Sequence, residues 1–510
     1  MSIPATLLDA LRPVGHHRVA GTVQGGDLVE VASALFADGM RLALVSGHDD
    51  GTSMRAVYLF TGGPPDVRVE IHVPVDRSLP TVPTLAGLSF PASRFERELS
   101  DLFGIEPLCH PQPRRLVLHQ HWPQGWHPMR RESSAPPDMV ADAGSFPFVP
   151  VDGTGVYEIP VGPVHAGLIE PGHFRFWVVG ETILRMKARL WFVHKGIERL
   201  CEGRDVVSGL EIAERISGDT AVGHGLAYCQ AVEDALQVQV PGDAQIVRSA
   251  LLELERLYNH VADIGALCND VGFGLAQAWA LSLREQLLSL NREVTGHRLL
   301  RGGVVPGGSR VLRLPSEAEL AQVAHQFEEL VELIASSALV MERFTGTAVL
   351  DRSDVIDLGV IGVVGRASGL AFDARVAHPI TELGEGFSPA LQSGGDVLAR
   401  YSVRVEEVRT SLGLLLGLVG RCDVLDAVTP LTGHRDSHAS DGGVGIAEGW
   451  RGAIVHRVEL DHEGRLVRVK VVDPSFLNWP ALPVCLTDTI VPDFPLVNKS
   501  FNLSYAGNDL

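Results

Sequence analysis

Three side chains able to move protons crowd into one short stretch of the chain, residues 161–176 (VGPVHAGLIEPGHFRF). Gly-Pro and Pro-Gly turns bracket His165, Glu170 and His173 on a loop between two strand-like runs. Imidazole titrates near neutral pH, and a desolvated glutamate becomes a proton donor. Two histidines and an acid this close, framed by tight turns, suit a cleft lining, although nothing in their spacing forces a metal. A second polar series, Glu253, Arg256, His260, Asp263 and Asp270, recurs at helical spacing inside an apolar stretch. It reads as a satisfied buried network. The six cysteines (109, 201, 229, 268, 422 and 485) stand singly, with no two at metal-ligand spacing. They read as reduced, buried thiols, and no metal site is expected on this chain.

The elements that position these residues fall into unlike parts. A chain of 510 residues exceeds one ordinary domain. Its 45% hydrophobic content is enough for a large core, and its net charge of −19 would repel a phosphate backbone, so nucleic acid is set aside as a partner. The opening MSIPATLLDALRPVGHH lacks the charged and apolar regions of a secretory signal. The apolar run at 412–420 (LGLLLGLVG) is far shorter than the roughly 20 residues a spanning helix needs. Any attachment to a membrane is therefore expected through partner subunits.

The fold class expected is α+β. Residues 1–133 read as a small α+β docking domain. It should hold an opening helix at 5–11, strand-like runs at 28–31, 42–46, 55–60 and 68–73, and a helix at 93–102 capped by Ser93 with Glu96. Residues 134–152, rich in Pro, Ala and Asp, read as a linker. Residues 153–510 read as a mainly α-helical large-subunit domain with small β-sheets at both ends. Its helices are expected at 243–271, 276–300, 317–344 and 402–425, and a hairpin around His462-Glu463-Gly464.

Residues 95–131 contain FERELSDLFG followed by a strap rich in His, Pro and Arg. This resembles the 30-kDa-type subunit of complex I, whose signature is matched by Glu96, Arg97, Glu98, Asp101, Phe103, Gly104, His110, Pro111, Arg114 and Arg115. The resemblance implies a structural docking role. The 161–176 loop is similar to the N-terminal loop of membrane-bound, energy-converting NiFe hydrogenase large subunits and to the quinone loop of the complex I 49-kDa-type subunit. By that likeness Glu170 relays protons and His165 faces a quinone headgroup. FVHKGIERLCEGR (192–204), with His194, Lys195 and Glu198, matches a motif of both families.

The segment AERISGDTAVGHGLAYCQAVE (213–233) resembles the place where NiFe hydrogenases carry their first cysteine pair. Glu214, Arg215, Gly218 and His224 keep the pattern, but Ser217 and Thr220 stand at the thiolate positions. The second pair is matched by Asp473-Pro474-Ser475-Phe476-Leu477-Asn478, where Ser475 and Asn478 replace sulfur. Nickel and low-spin iron want soft thiolates, and a hydroxyl is too weak an acid to stand in for one. Pro474-Ser475-Phe476 also looks like complex I. That family's quinone-contacting tyrosine, however, is matched here by Gly218. The tail NKSFNLSYAGNDL resembles the energy-converting hydrogenase ending, and is expected to lack the His-containing extension removed after nickel insertion.

The likeness covers nearly the whole chain and identifies it as a member of the complex I and group 4 membrane-bound hydrogenase superfamily, formate-hydrogenlyase-like, without the NiFe ligands. It implies a core subunit of a respiratory oxidoreductase, peripheral on the cytoplasmic side of the cell membrane. An iron–sulfur small subunit with a 4Fe–4S cluster, antiporter-like membrane subunits and a formate dehydrogenase are the partners it suggests. No cofactor is expected to be tightly bound on this chain; a quinone is the candidate ligand. Glu170, His173, Arg215 and His224 are the candidate catalytic residues, with His165, His194, Ser217, Thr220 and Ser475 lining the acceptor cleft. The other reading is a catalytically silent scaffold joining the cluster subunit to the membrane arm.

Overall fold

The computed structural model describes residues 11–133, 135–140, 144, 146–166, 169–384, 387–431 and 442–510. The expected opening helix at 5–11 lies almost wholly outside them. A five-stranded sheet comes first. It is built from β1 (Arg12–Gly15), β2 (Arg18–Thr22), β3 (Arg41–Asp49), β4 (Met54–Gly62) and β5 (Val67–Val75), in the order β1-β2-β5-β4-β3. Helix α1 (Leu28–Ala37) joins β2 to β3. Its first residues, 28–31, are strand-like in sequence. Leu28, Val31, Ala32 and Leu35 instead bury one helical face, so the 3.6-residue period overrides the short apolar run.

Helix α2 (Phe90–Phe103) starts earlier than the sequence suggests. Ser89 occupies the N-cap position and Ser93 lies within the helix, so the expected Ser93 cap is corrected. Glu96 is drawn away to receive the Leu85 amide and the Thr84 hydroxyl. The helix stops at Gly104, whose φ of 66° is left-handed backbone that glycine adopts without strain.

The larger part of the chain opens with the three-stranded sheet β6 (Val156–Val161), β7 (His173–Val179) and β8 (Thr182–Arg189). Next come α3 (Ile197–Cys201), α4 (Val206–Ala213), α5 (Ala221–Leu236) and two long helices, α6 (Gly242–Asp270) and α7 (Gly274–Thr295). Helix α8 (Glu317–Ala335) carries a reciprocal Ser316/Glu319 capping box. It ends before Ser337, which caps a separate helix at Ala338–Phe344, so the single helix expected at 317–344 is broken. Helix α9 (Val397–Val419) packs along α6. A final antiparallel sheet, β9 (Gly443–Gly449), β10 (Gly452–Leu460) and β11 (Leu466–Val472), leads to the short helices α10 (Pro474–Asn478) and α11 (Tyr505–Asp509). The expected hairpin is β10–β11; β9 is an addition to it.

The N-terminal sheet is fastened to the rest by buried charges. Arg457 on β10 reaches Glu70 on β5 at 2.8 Å, and Arg18 on β2 reaches Asp234 on α5 at 2.9 Å. Lys470 on β11 bridges Glu98 on α2 at 2.7 Å and Glu198 on α3 at 3.0 Å. Arginines within the docking motif serve its own strap: Arg97 donates to the carbonyls of Arg114 and Arg115. Asp101 accepts the amides of Leu116, Val117 and Leu118.

Candidate functional site

The turn between α4 and α5, the β9–β10 turn, the N-terminus of α10 and the helix α11 converge on one cluster, buried except at Asp219, whose side chain is 38% exposed. Asp219 is its centre. Its carboxylate receives both terminal nitrogens of Arg451, at 2.8 and 2.7 Å, in a forked ion pair. The hydroxyls of Ser217 and Thr220 donate to the same carboxylate at 2.8 and 2.9 Å. The Asp219 carbonyl is held by Asn259 and by the Trp450 indole. Arg451 in turn stacks 3.8 Å over the Trp450 ring. Burial disfavours the Asp219 anion, but Arg451 and the two hydroxyls outweigh it and hold the carboxyl well below the usual carboxylate range.

Ser217 also meets the Ser504 hydroxyl at 2.9 Å, and the Ser504 amide donates to Ser475 Oγ at 2.9 Å. Ser217 and Ser475, distant in sequence, are thus neighbours in space. Asn478 lies one turn further on and clasps the backbone of Ile361, accepting its amide at 2.9 Å and donating to its carbonyl at 3.0 Å.

On the far side of Ser475 stands Asp473, which caps α10 by accepting the Ser475 amide at 2.7 Å. Its other oxygen meets His224 Nε2 at 3.0 Å, and His224 Nδ1 meets His456 Nε2 at 3.1 Å. All three side chains are buried. Burial and the neighbouring His224 push His456 far below the usual imidazole range, which makes it a neutral ring. Asp473 is held down by His224, Arg451 and its capping bond, against burial.

Helix α11 wedges into this cluster. A Cβ on Gly507 would fall 2.5 Å from the Asp473 carboxyl carbon, so only glycine permits the approach. Glu170 accepts the Ala506 amide at 2.9 Å, His194 bonds the Asp509 carbonyl at 2.6 Å, and the amides of Lys195 and Gly196 donate to the Leu510 carbonyl. Asp509 is pushed up to about 6 by burial, despite bonds from Asn508 and the Val193 amide. An acid that titrates so close to neutrality can take and return a proton at physiological pH.

The structure therefore brings together Glu170, His194, Ser217, Thr220, His224 and Ser475 around α11. Three other candidates lie elsewhere. His173 bonds the Gly162 carbonyl and sits against Phe148, on the face of β7 opposite Phe174. His165 closes its own loop by bonding the Gly172 carbonyl at 2.7 Å. Arg215 is exposed and donates to the Glu211 carbonyl. Asp219, Arg451, His456 and Ser504 do not stand out in the sequence. The Ser-Gly-Asp-Thr run is a signal for Asp219, since an acid between two hydroxyls at a helix start gathers their protons.

A nickel–iron centre does not fit these residues. The four positions matched to thiolates carry hydroxyls and an amide, each already engaged in hydrogen bonds within the protein. The Arg451 cation also donates to Thr220 at 3.3 Å, where a metal ion would be repelled. Among the described residues, no group of three His, Cys, Asp or Glu is arranged to hold a metal.

The chain is similar along its length to proteins of one kind. Residues 22–138 match the family described as respiratory-chain NADH dehydrogenase 30-kDa subunit, residues 270–424 the 49-kDa subunit, and residues 195–268 nickel-dependent hydrogenase. Formate hydrogenlyase subunit 5 of Escherichia coli (strain K12) is 31% identical, over 96% of this chain and 88% of that protein. The chain belongs to this family of fused 30-kDa/49-kDa-type subunits. Hydrogenase-4 component G of the same organism is 32% identical over 81% of this chain and 73% of its own length. The C/D component of the NADH-quinone oxidoreductase of Phocaeicola vulgatus is 30% identical over 68% of this chain and 70% of its own length. A chain in the solved structure of the membrane-bound sulfane sulfur reductase, an archaeal respiratory membrane complex, superposes with a TM-score of 0.61 at 25% identity, covering 71% of this chain and all of that one. Family members of this fused type are subunits of multi-subunit oxidoreductases. Among the described residues, no helix here is long and apolar enough to cross a membrane.

Proposed function

We propose that this subunit is the acceptor-reducing core of a membrane-associated respiratory complex that works without a NiFe centre. Electrons arrive from a 4Fe–4S cluster on an iron–sulfur partner. A quinone or another organic acceptor takes up two electrons and two protons beside α11. Glu170, Asp509 and the His224–Asp473 pair hold the protons that a reduced acceptor takes up. Antiporter-like membrane subunits carry the coupling, a formate dehydrogenase is the candidate donor, and the subunit sits on the cytoplasmic side of the membrane. The residue limits 1–133, 134–152 and 153–510 for docking domain, linker and large-subunit domain belong to the same reading. The observation that carries it is the Asp219–Arg451 pair: hydroxyls and a salt bridge stand where a hydrogenase would present sulfur.

One feature favours a second reading. The Ser217 and Ser504 hydroxyls meet each other and the Ser504 amide donates to Ser475 Oγ, as a closed structural core would, and this suits a silent scaffold. Acceptor reduction by the purified complex separates the two. Glu170→Gln and His224→Ala should each lower turnover by roughly a hundredfold or more, the usual contribution of a positioned proton donor. Unchanged turnover in both variants would establish the scaffold.

A further inference from the structure

Beside the cluster around α11, where Arg94 donates to Asn508 Oδ1 at 3.3 Å, a cavity of about 590 Å³ opens between α2, the Pro-rich strap and β8. Six cations face it: Arg94, Arg97, Arg114, Arg185, Lys187 and Arg189. In a chain of net charge −19 this concentration needs an explanation. Among the described residues, none of the six forms an ion pair with a carboxylate. The acids nearest to them are already engaged: Glu98 with Lys470, Asp101 with three backbone amides, and Asp509 with Asn508 and the Val193 amide.

The cations are held in place without being neutralised. Arg189 is buried and gives its terminal nitrogens to the carbonyls of Leu116 and Leu118, while its Nε has no partner. The Nε atoms of Arg94 and Arg114 are likewise buried without a partner. Aromatic rings fix the guanidinium planes: Arg94 lies 4.7 Å over Phe476, and Arg189 lies 5.0 Å over Phe146. Arg185, Lys187 and Arg189 alternate along β8, so their side chains share one face of that edge strand. Burial and the neighbouring arginines push the Lys187 ammonium down to about 8, the mark of a charge short of a counterion. Desolvated, unpaired charges are costly unless a partner arrives, and a rigid set of guanidinium forks matches the oxygens of a phosphate group. The volume is that of a small-ligand site.

We propose that this cavity binds a phosphate-bearing anion, either a soluble phosphate compound or the headgroup of an acidic phospholipid. The test titrates inorganic tripolyphosphate into the full-length chain and into its purified complex. A parallel assay measures co-sedimentation with phosphatidylglycerol vesicles against phosphatidylcholine vesicles. The variant is Arg185→Gln/Lys187→Gln, because among the described residues neither side chain is hydrogen-bonded or ion-paired and the fold should survive, as unchanged thermal unfolding without ligand would verify.

Saturable one-to-one binding, weakened at least tenfold in the double variant, supports the site. Co-sedimentation with phosphatidylglycerol that the variant loses assigns the anion to lipid, and its absence assigns it to a soluble compound. No binding of tripolyphosphate, or equal binding by the variant, overturns the proposal. So does binding by the isolated chain that disappears in the complex, since an acidic segment of a partner subunit would then be the true occupant.

Discussion

Replacing Lys470 with methionine tests how the N-terminal sheet is fastened to the rest of the molecule. Its ammonium lies between Glu98 and Glu198, at 2.7 and 3.0 Å, and all three side chains are buried. Burial opposes the Glu198 anion, but Arg468 and Lys470 hold it at about 2; burial raises Glu98 in spite of Lys470. Without the lysine, two carboxylates no more than about 6 Å apart face each other, and at an effective dielectric constant near 20 they repel by about 3 kcal/mol. Protonating one of them at pH 7 costs about 4 kcal/mol for an ordinary glutamate, so the repulsion of about 3 kcal/mol sets the damage.

In the variant, Glu98 titrates still higher in the folded state than in the unfolded chain, so stability is retained below the usual carboxylate range and lost as pH rises from there through the raised folded value. Urea unfolding of the full chain, followed by tryptophan fluorescence, should therefore show a deficit of about 3 kcal/mol at pH 7 that shrinks towards pH 4. Adding Glu98→Gln should restore much of it. A deficit that is the same at both pH values, or one that Glu98→Gln does not relieve, would refute the electrostatic account of this junction.

Two further outcomes follow from the site. Glu255 is buried against the amides of Val222 and Gly223 and pushed up to about 8, chiefly by burial. Its contribution to stability is complete below the unfolded value near 4.5 and is lost as pH rises through about 8, so Glu255→Gln should flatten the stability–pH curve across that window by several kcal/mol. A curve of unchanged slope counts against it. Gly507→Ala drives a methyl group into Asp473, and should lower stability by about 1–3 kcal/mol while also reducing acceptor turnover. Normal melting and turnover would mean that α11 has room to shift.

Much of the fold is legible because periodicity carries it. The long helices α6, α7 and α9 and the strands β3 to β5 announce themselves in their apolar spacing. Where the sequence misleads, a competing interaction explains it. Residues 28–31 look like a strand until Leu35 extends their helical face, and Ser93 looks like a cap until Glu96 turns away to Leu85. The site is legible only in halves. Ser217 and Ser475 each stand within a recognisable local frame, but their meeting through Ser504 depends on α11 threading between them, which no local pattern encodes. Arg451 is hidden for the same reason: it gains its meaning from Asp219, 232 positions away. His173 and Arg215 show the reverse, since chemically capable residue types can be turned by strand alternation or exposure to face away from the chemistry.

Oxygen and nitrogen groups and a salt bridge fill the places where a hydrogenase carries sulfur, and the proposed function of reduction without nickel rests on them. Elemental analysis of the purified, turnover-competent complex tests it most directly. The expected result is acceptor reduction with nickel far below one atom per chain. One nickel atom per chain, rising and falling with activity, would contradict it.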